Sequence, residues 1–143
     1  TLCVAALCEN REAIVCVADR LLTTPQDDGS FIEHEGRTKI YEPMTHIAVL
    51  CCGDTDVFGS LNHIAIDALF AETKKDQEYT LSVKQMADLH LNGLIGLRAS
   101  GKDISQTAVI LAGCDDSGGH IYVVNDQGAH CADAVGFAAV GVG

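Results

Sequence analysis

Short apolar runs rich in β-branched residues stand in two groups, one on each side of a single helical block, and this order constrains the fold most. Helical spacing of apolar residues covers positions 54–75 and 82–101. The extended runs lie before and after that block, at Leu2–Cys8, Ala13–Ala18, 31–41, 46–52, 107–112, 120–124 and 137–142. Strands that are grouped, rather than alternating with helices, favour antiparallel sheets covered by helices. The sequence therefore predicts an α+β fold.

The first two runs predict a β-hairpin. Leu2–Cys8 and Ala13–Ala18 are joined by the four polar residues 9–12, a link of hairpin length. In an antiparallel pair the start of one strand lies beside the end of the other. The hairpin therefore brings Thr1 close to Asp19.

Local signals mark where the other elements begin and end. Positions 23–30 are polar and contain a proline, which predicts a loop, and Glu42-Pro43 predicts the end of the extended run before it. The run 46–52 is apolar almost throughout, which is typical of a strand buried on both faces. Ser82 and Gln85 have the spacing of a helix capping box.

Composition excludes several classes of protein. The 143 residues suit one domain, 1–143, and a net charge of −11 argues against a nucleic-acid partner. No apolar run approaches the ~18 residues that span a membrane, so we expect no membrane partner. The seven cysteines show no C-x-x-C spacing and the six histidines no metal-binding pattern, so we expect neither a metal nor a cofactor. Cysteines within apolar runs predict reduced thiols and a cytoplasmic location.

Thr1 carries two chemical functions on one residue. Its hydroxyl group is a nucleophile that attacks carbonyl groups. Its free α-amino group has a pKa near ~8 and is partly neutral at physiological pH, so it can accept the hydroxyl proton. Thr1 is therefore a candidate catalytic nucleophile.

Thr1, Asp19 and Lys39 follow one another in the order seen in the proteasome β-subunit branch of the N-terminal nucleophile (Ntn) hydrolases, which this chain resembles. The resemblance extends over the whole chain. The motifs that carry it are Thr1, Val17-Ala18-Asp19-Arg20, Arg37-Thr38-Lys39-Ile40-Tyr41, and Leu111-Ala112-Gly113 with Gly119-His120-Ile121-Tyr122.

The resemblance implies an αββα four-layer sandwich, in which two antiparallel sheets lie between two layers of helices. It implies that Thr1 is the nucleophile and that its amine is the general base. Lys39 would be the adjacent cation, and Asp19 would hold it in place. A backbone N–H near Gly53 would bind the oxyanion, with Leu50 or Cys52 as alternative positions. Peptides or small amides would be the substrates, and the chain would assemble into a homo-oligomeric ring or stacked rings.

Two departures from the family keep alternatives open. The family has Gly-Ser-Gly where this chain has Gly141-Val142-Gly143, so a positioning hydroxyl is missing, and the family's C-terminal helices and strands have no counterpart. We expect the sequence to be an incomplete chain. The alternatives are a catalytically inactive structural subunit and an Ntn amidase for small amides. A nucleophilic Cys114 or Cys131 with His130 also stays open, although nothing around these residues indicates an activated thiolate.

Overall fold

The computed structural model describes residues 2–36, 38–73 and 80–141. They form two α-helices and three antiparallel sheets, so the α+β class is confirmed. The helices are α1 (Thr55–Thr73) and α2 (Val83–Ala99). The strands are β1 (Leu2–Cys8), β2 (Ala13–Ala18), β3 (Leu21–Pro25), β4 (Phe31–Glu35), β5 (Ile40–Met44), β6 (Ile47–Cys52), β7 (Ala108–Asp115), β8 (Gly118–Asn125), β9 (Gly128–Cys131) and β10 (Phe137–Gly141).

The strands pair into sheets of three, two and five. The three-stranded sheet has the order β10-β1-β2, and β3 pairs with β4 in a separate two-stranded sheet. The five-stranded sheet has the order β5-β6-β7-β8-β9. The predicted first hairpin is confirmed, with Cys3 opposite Ala18 and Cys8 opposite Ala13.

Two predictions between β2 and β6 are wrong. The segment 23–30 is only partly a loop, because its first three residues belong to β3, which pairs with β4. The chain also continues extended through Glu42 and Pro43, which lie inside β5. A proline is tolerated there because β5 is an edge strand and its pairing with β6 shifts register between Tyr41 and Met44.

The five-stranded sheet carries a hydrophobic core on each face. Successive residues of a strand point to opposite faces, so Val49 packs with the helices whereas Leu50 faces the three-stranded sheet. The core on the helix side includes Leu61 of α1 and Met86 of α2. The strand β6 is therefore buried on both faces, as its composition predicts. Helices, five-stranded sheet and three-stranded sheet form three successive layers.

Arg11 links the two large sheets at the turn end of the first hairpin. Its guanidinium donates to the Gly119 carbonyl at 2.8 Å and to Asp133 Oδ2 at 2.8 Å. The same carboxylate lies 2.6 Å from His120 Nδ1, and its other oxygen accepts the Ile121 N–H. These contacts join the β1–β2 turn, the start of β8 and the β9–β10 connection.

The outer face of the three-stranded sheet is apolar. Ala6 pairs with both Val15 and Phe137, and Val4 pairs with Val17, so these side chains share the face turned away from the core. Leu2, Val15, Val17 and Phe137 are each more than half exposed. We call these four residues and their neighbours Val4 and Ala6 the outer apolar face. Within the three described ranges, no helix has the length and hydropathy needed to cross a membrane.

Candidate functional site

Lys39 is buried immediately before β5. Its side chain is only 8% exposed, and its ammonium group contacts Asp19 Oδ1 in an ion pair. It also donates to the carbonyl oxygen of Leu21 at 2.6 Å. A lysine loses much of its hydration when it is buried, so a carboxylate and a carbonyl partner offset that cost. The predicted pairing of Lys39 with Asp19 is therefore present in the structure.

Asp19 joins Lys39 to the start of β1. One carboxylate oxygen accepts a hydrogen bond from the Lys39 ammonium, and the other accepts one from the backbone N–H of Leu2 at 2.6 Å. The backbone N–H of Asp19 in turn donates to the Leu2 carbonyl at 3.0 Å. One carboxylate thus connects the buried cation with the residue that follows Thr1 in the chain.

Hydrogen bonding stabilises the charged form of Asp19. The hydrogen bond from the Lys39 ammonium lowers the pKa of the Asp19 carboxyl group below its ordinary value, and the Leu2 N–H acts in the same direction. Partial desolvation opposes these effects without reversing them. The Asp19 carboxylate therefore remains charged at neutral pH.

Gly53 directly follows β6 and has a conformation that favours glycine. Its φ is +111°, and an added Cβ would lie 2.1 Å from the carbonyl oxygen of Gln106. A side chain at this position would therefore be strained and would clash with the segment before β7. Gly53 is the position that the sequence singled out for the oxyanion N–H, and its close approach to a neighbouring backbone holds the turn in place.

A cavity of about 940 Å³ brings Lys39 and Gly53 together. It lies between the end of the β3–β4 hairpin, the β5–β6 pair and the first half of α1. One face of α1 contributes Thr55, Phe58, Gly59 and Asn62 to its lining. The other lining residues are Arg20, Leu22, Glu35, Gly36, Thr38, Ile40, Tyr41, Cys51 and Asp56. A volume of this order accommodates a small molecule or a few side chains of a peptide.

Two buried thiols adjoin the site. Cys3 Sγ donates to the carbonyl oxygen of Cys51 at 3.3 Å, between β1 and β6. Burial raises the pKa of the Cys3 thiol to about 11, and burial raises that of Cys51 further. Both groups therefore stay protonated at neutral pH and are poor nucleophiles.

Thr1 lies outside the described residues, and so does Val142. The structure thus brings together three of the four predicted site residues: Asp19 and Lys39 touch, and Gly53 shares a cavity with Lys39. Leu50, an alternative oxyanion position, is fully buried among the two sheets, whereas Cys52 is the residue directly before Gly53.

The alternative of Cys131 acting with His130 finds no support in the geometry. His130 and Cys131 are successive residues of β9, so their side chains point to opposite faces of the sheet. All seven cysteines are free thiols, as predicted.

Ser117, His120 and Asp133 form a chain of hydrogen bonds that resembles a catalytic triad in its distances. Ser117 Oγ lies 2.6 Å from His120 Nε2, and His120 Nδ1 lies 2.6 Å from Asp133 Oδ2. However, the Ser117 hydroxyl donates a hydrogen bond to Asp115 Oδ1 at 2.7 Å, so this contact occupies the hydroxyl without any role for the histidine. The arrangement is a hydrogen-bond network that links the β7–β8 turn to Asp133 in the β9–β10 connection.

Comparison with known proteins adds no assignment. No protein-family model matches this chain, and no curated protein matches it. The functional argument therefore depends on the site itself.

Sequence patterns missed several residues of the site. The cavity face of α1 carried one signal, because Gly59 interrupts a helix without facing the core. Cys3 and Cys51 looked like ordinary core cysteines, and no local pattern distinguishes a thiol that bonds across two sheets. The role of the Leu21 carbonyl as an acceptor could not be predicted either, because every residue has a backbone carbonyl whatever its side chain.

Proposed function

We propose that this chain is a threonine-type amide hydrolase of the proteasome-like Ntn class. The observation that carries the proposal is the Asp19 carboxylate, which bonds the Lys39 ammonium and the N–H of Leu2 at once. Asp19 thus links the buried Lys39 to Leu2, the residue after Thr1 in the sequence. A cation close to the threonine suits this chemistry, because it favours the neutral amine and the ionised hydroxyl. The cavity beside Lys39 supplies room for a substrate.

The proposed reaction proceeds through an acyl-enzyme. The Thr1 hydroxyl oxygen attacks the substrate carbonyl carbon, and the Thr1 amine accepts the hydroxyl proton. A backbone N–H near Gly53 stabilises the oxyanion. The amine then returns the proton to the leaving nitrogen, the C–N bond breaks, and an ester remains. Water, deprotonated by the same amine, hydrolyses that ester and frees Thr1.

The layers of helices, five-stranded sheet and three-stranded sheet support this assignment, because they correspond to three of the four layers of an αββα sandwich. In the four-layer sandwich that we propose, a second layer of helices covers the outer apolar face. Exposed apolar side chains on that face support such a cover, because contiguous apolar patches are rare on free protein surfaces.

We further propose peptides as substrates, a homo-oligomeric ring or stacked rings as the assembly, and the cytoplasm as the location. The cavity size supports peptides, since it admits a bulky side chain. Exposed apolar residues on both helices, such as Phe70 and Ile95, support contacts between subunits. Seven free thiols support a reducing compartment.

Replacement of the proposed nucleophile tests the mechanism. Thr1→Ala should abolish cleavage of fluorogenic peptides and the mass increase after treatment with a β-lactone, because no hydroxyl group remains to be acylated. Thr55→Ala is the matched control, since Thr55 lines the same cavity, and this variant should keep the β-lactone adduct. Cleavage or labelling that survives Thr1→Ala would rule out the mechanism.

The same experiment separates the two alternatives. A wild-type chain that assembles but neither cleaves peptides nor takes up β-lactone is the inactive structural subunit, which the missing serine in Gly141-Val142-Gly143 favours. Hydrolysis of short aliphatic amides with no peptide cleavage identifies a small-amide amidase.

A further inference from the structure

Cys3 joins the two large sheets next to the site. Its thiol donates to the carbonyl oxygen of Cys51 at 3.3 Å, and its side chain is fully buried. Cys3 belongs to β1 of the three-stranded sheet, whereas Cys51 belongs to β6 of the five-stranded sheet. The hydrogen bond therefore crosses the interface between the sheets.

The backbone N–H and carbonyl of Cys51 connect several parts of the site. Its N–H donates to the backbone carbonyl of Lys39 at 3.1 Å, and its carbonyl accepts the Cys3 thiol. Gly53 follows two residues later, directly after the end of the same strand. Movement of this carbonyl would therefore shift Lys39 and the Gly53 turn relative to β1.

The start of β1 is held at two successive residues. Leu2 donates its N–H to the carboxylate that pairs with Lys39. Cys3 donates to the carbonyl of Cys51, the residue whose own N–H bonds the Lys39 carbonyl. One contact is made by a main-chain group and is independent of residue type. The other depends on the thiol of Cys3, so only the second is controlled by the side chain.

A protonated thiol is required for this contact. The buried environment raises the pKa of the Cys3 thiol to about 11, so the S–H donor persists at neutral pH. A thiol is a weak donor, and its effect on the free energy of unfolding is small. Loss of this hydrogen bond should affect the reaction rate more than the stability, because a displacement of about 1 Å between reacting groups costs about 10²-fold in rate.

From these contacts we infer that Cys3 is a positioning residue, which sets the distance from the first residues of β1 to Lys39 and to the Gly53 turn. The inference rests on the proposed hydrolase function. Cys3 touches no substrate and acts only through the Cys51 carbonyl. A hydroxyl group at position 3 performs the same task, because it donates to the same acceptor.

Three variants test the role of Cys3. Cys3→Ala should lower kcat about tenfold while KM changes less than about twofold, because binding is kept and the geometry of reaction is lost. Cys3→Ser should restore kcat to within about twofold of the wild type. Cys16→Ala, which removes a thiol from the same core between the sheets, should leave kcat unchanged. Equal losses of kcat in Cys3→Ala and Cys16→Ala, or no rescue by serine, would overturn the inference.

A second measurement does not depend on turnover. The amide resonance of Gly53 and its rate of hydrogen exchange should change in Cys3→Ala and stay unchanged in Cys3→Ser and Cys16→Ala. An unchanged Gly53 amide in Cys3→Ala contradicts a positioning role. Absence of hydrolysis in the wild type counts against the proposed function instead, so the two failures are distinguishable.

Discussion

Lys39 illustrates how far a single residue depends on its surroundings. A lysine between Thr38 and Ile40 is, by residue type, a surface residue. It is buried here because its ammonium group binds the Asp19 carboxylate and the Leu21 carbonyl, which offset the loss of hydration. Both partners lie near the end of the first hairpin. Its order in the chain, after Thr1 and Asp19, suggested the pairing. The Leu21 acceptor and the depth of burial came only from the structure.

His90 is a second buried titratable residue, and the sequence contained no sign of its burial. It is 1% exposed within α2, where its Nδ1 lies 2.9 Å from the Met86 carbonyl. Its Nε2 has no hydrogen-bond partner among the described residues. Burial lowers the pKa of His90 below 6.5, because the charged ring would have to be desolvated.

We predict that His90 makes the protein less stable in mild acid. The folded-state pKa lies below the unfolded-state value, so the unfolded chain binds more protons as the pH falls below about 6.5. Its contribution to stability is full above that pH and is lost on acidification. Urea unfolding at about pH 7.5 and about pH 5.5 should show a smaller pH dependence for His90→Leu than for the wild type. His63→Gln, at an exposed position of α1, is the control, and an equal pH dependence in the wild type and His90→Leu would refute the prediction.

At the scale of elements, periodicity predicted the first hairpin and both helices well, and it failed around the proline residues. The capping box of α2 is present, with Ser82 Oγ accepting from the Gln85 N–H and the Gln85 side chain accepting from the Ser82 N–H. β3 was missed because its polar threonines lack an apolar pattern. The break at Pro43 was wrong because the edge position of β5 removes the need for a backbone donor there.

Gly59 of α1 provides a test of the cavity. An added Cβ at Gly59 meets no atom within 4 Å, and Gly59 lines the cavity beside Lys39. We predict that Gly59→Leu fills part of the cavity and lowers kcat/KM at least about tenfold for peptides with bulky side chains. Peptides with small side chains should be affected less. The readout is the ratio of kcat/KM for the two classes of peptide.

Gly96 of α2 is the matched control for Gly59. It also has open space around its Cα, and it is absent from the cavity lining. Gly96→Leu should leave the ratio unchanged. Both variants should gain up to about 1 kcal/mol in the free energy of unfolding, because leucine favours a helix more than glycine does. A ratio that responds equally to both substitutions would show that the cavity is not the substrate site.

At the scale of the whole molecule, the outer apolar face is the surface of the three-layer arrangement on which large apolar side chains are exposed. The five-stranded sheet is covered on both faces, whereas the three-stranded sheet packs against a neighbour on one face only in the described residues. Its other face presents valines, a leucine and a phenylalanine. Such a face favours association with further structure.

We predict that the 143-residue chain binds the dye ANS through this face. The double variant Val15→Glu/Val17→Lys should lower ANS fluorescence at least about twofold, because it places two charges on β2, within the outer apolar face. Ile95→Lys is the control, since it charges an exposed position of α2. Equal fluorescence in the wild type and the double variant would show that the outer apolar face is not the apolar surface that the dye detects.

The sequence by itself determined the α+β class, the first hairpin and both helices, and the family resemblance implied the pairing of Asp19 with Lys39. The class, the hairpin and the helices follow from spacing within short segments, where apolar periodicity and turn residues act locally. Only the tertiary structure decided that Lys39 is buried, that Cys3 bonds Cys51, and that one face of α1 meets Gly53 across a cavity. Those contacts join residues from different sheets and layers, and the residue types alone do not reveal which of many possible partners the packing brings together.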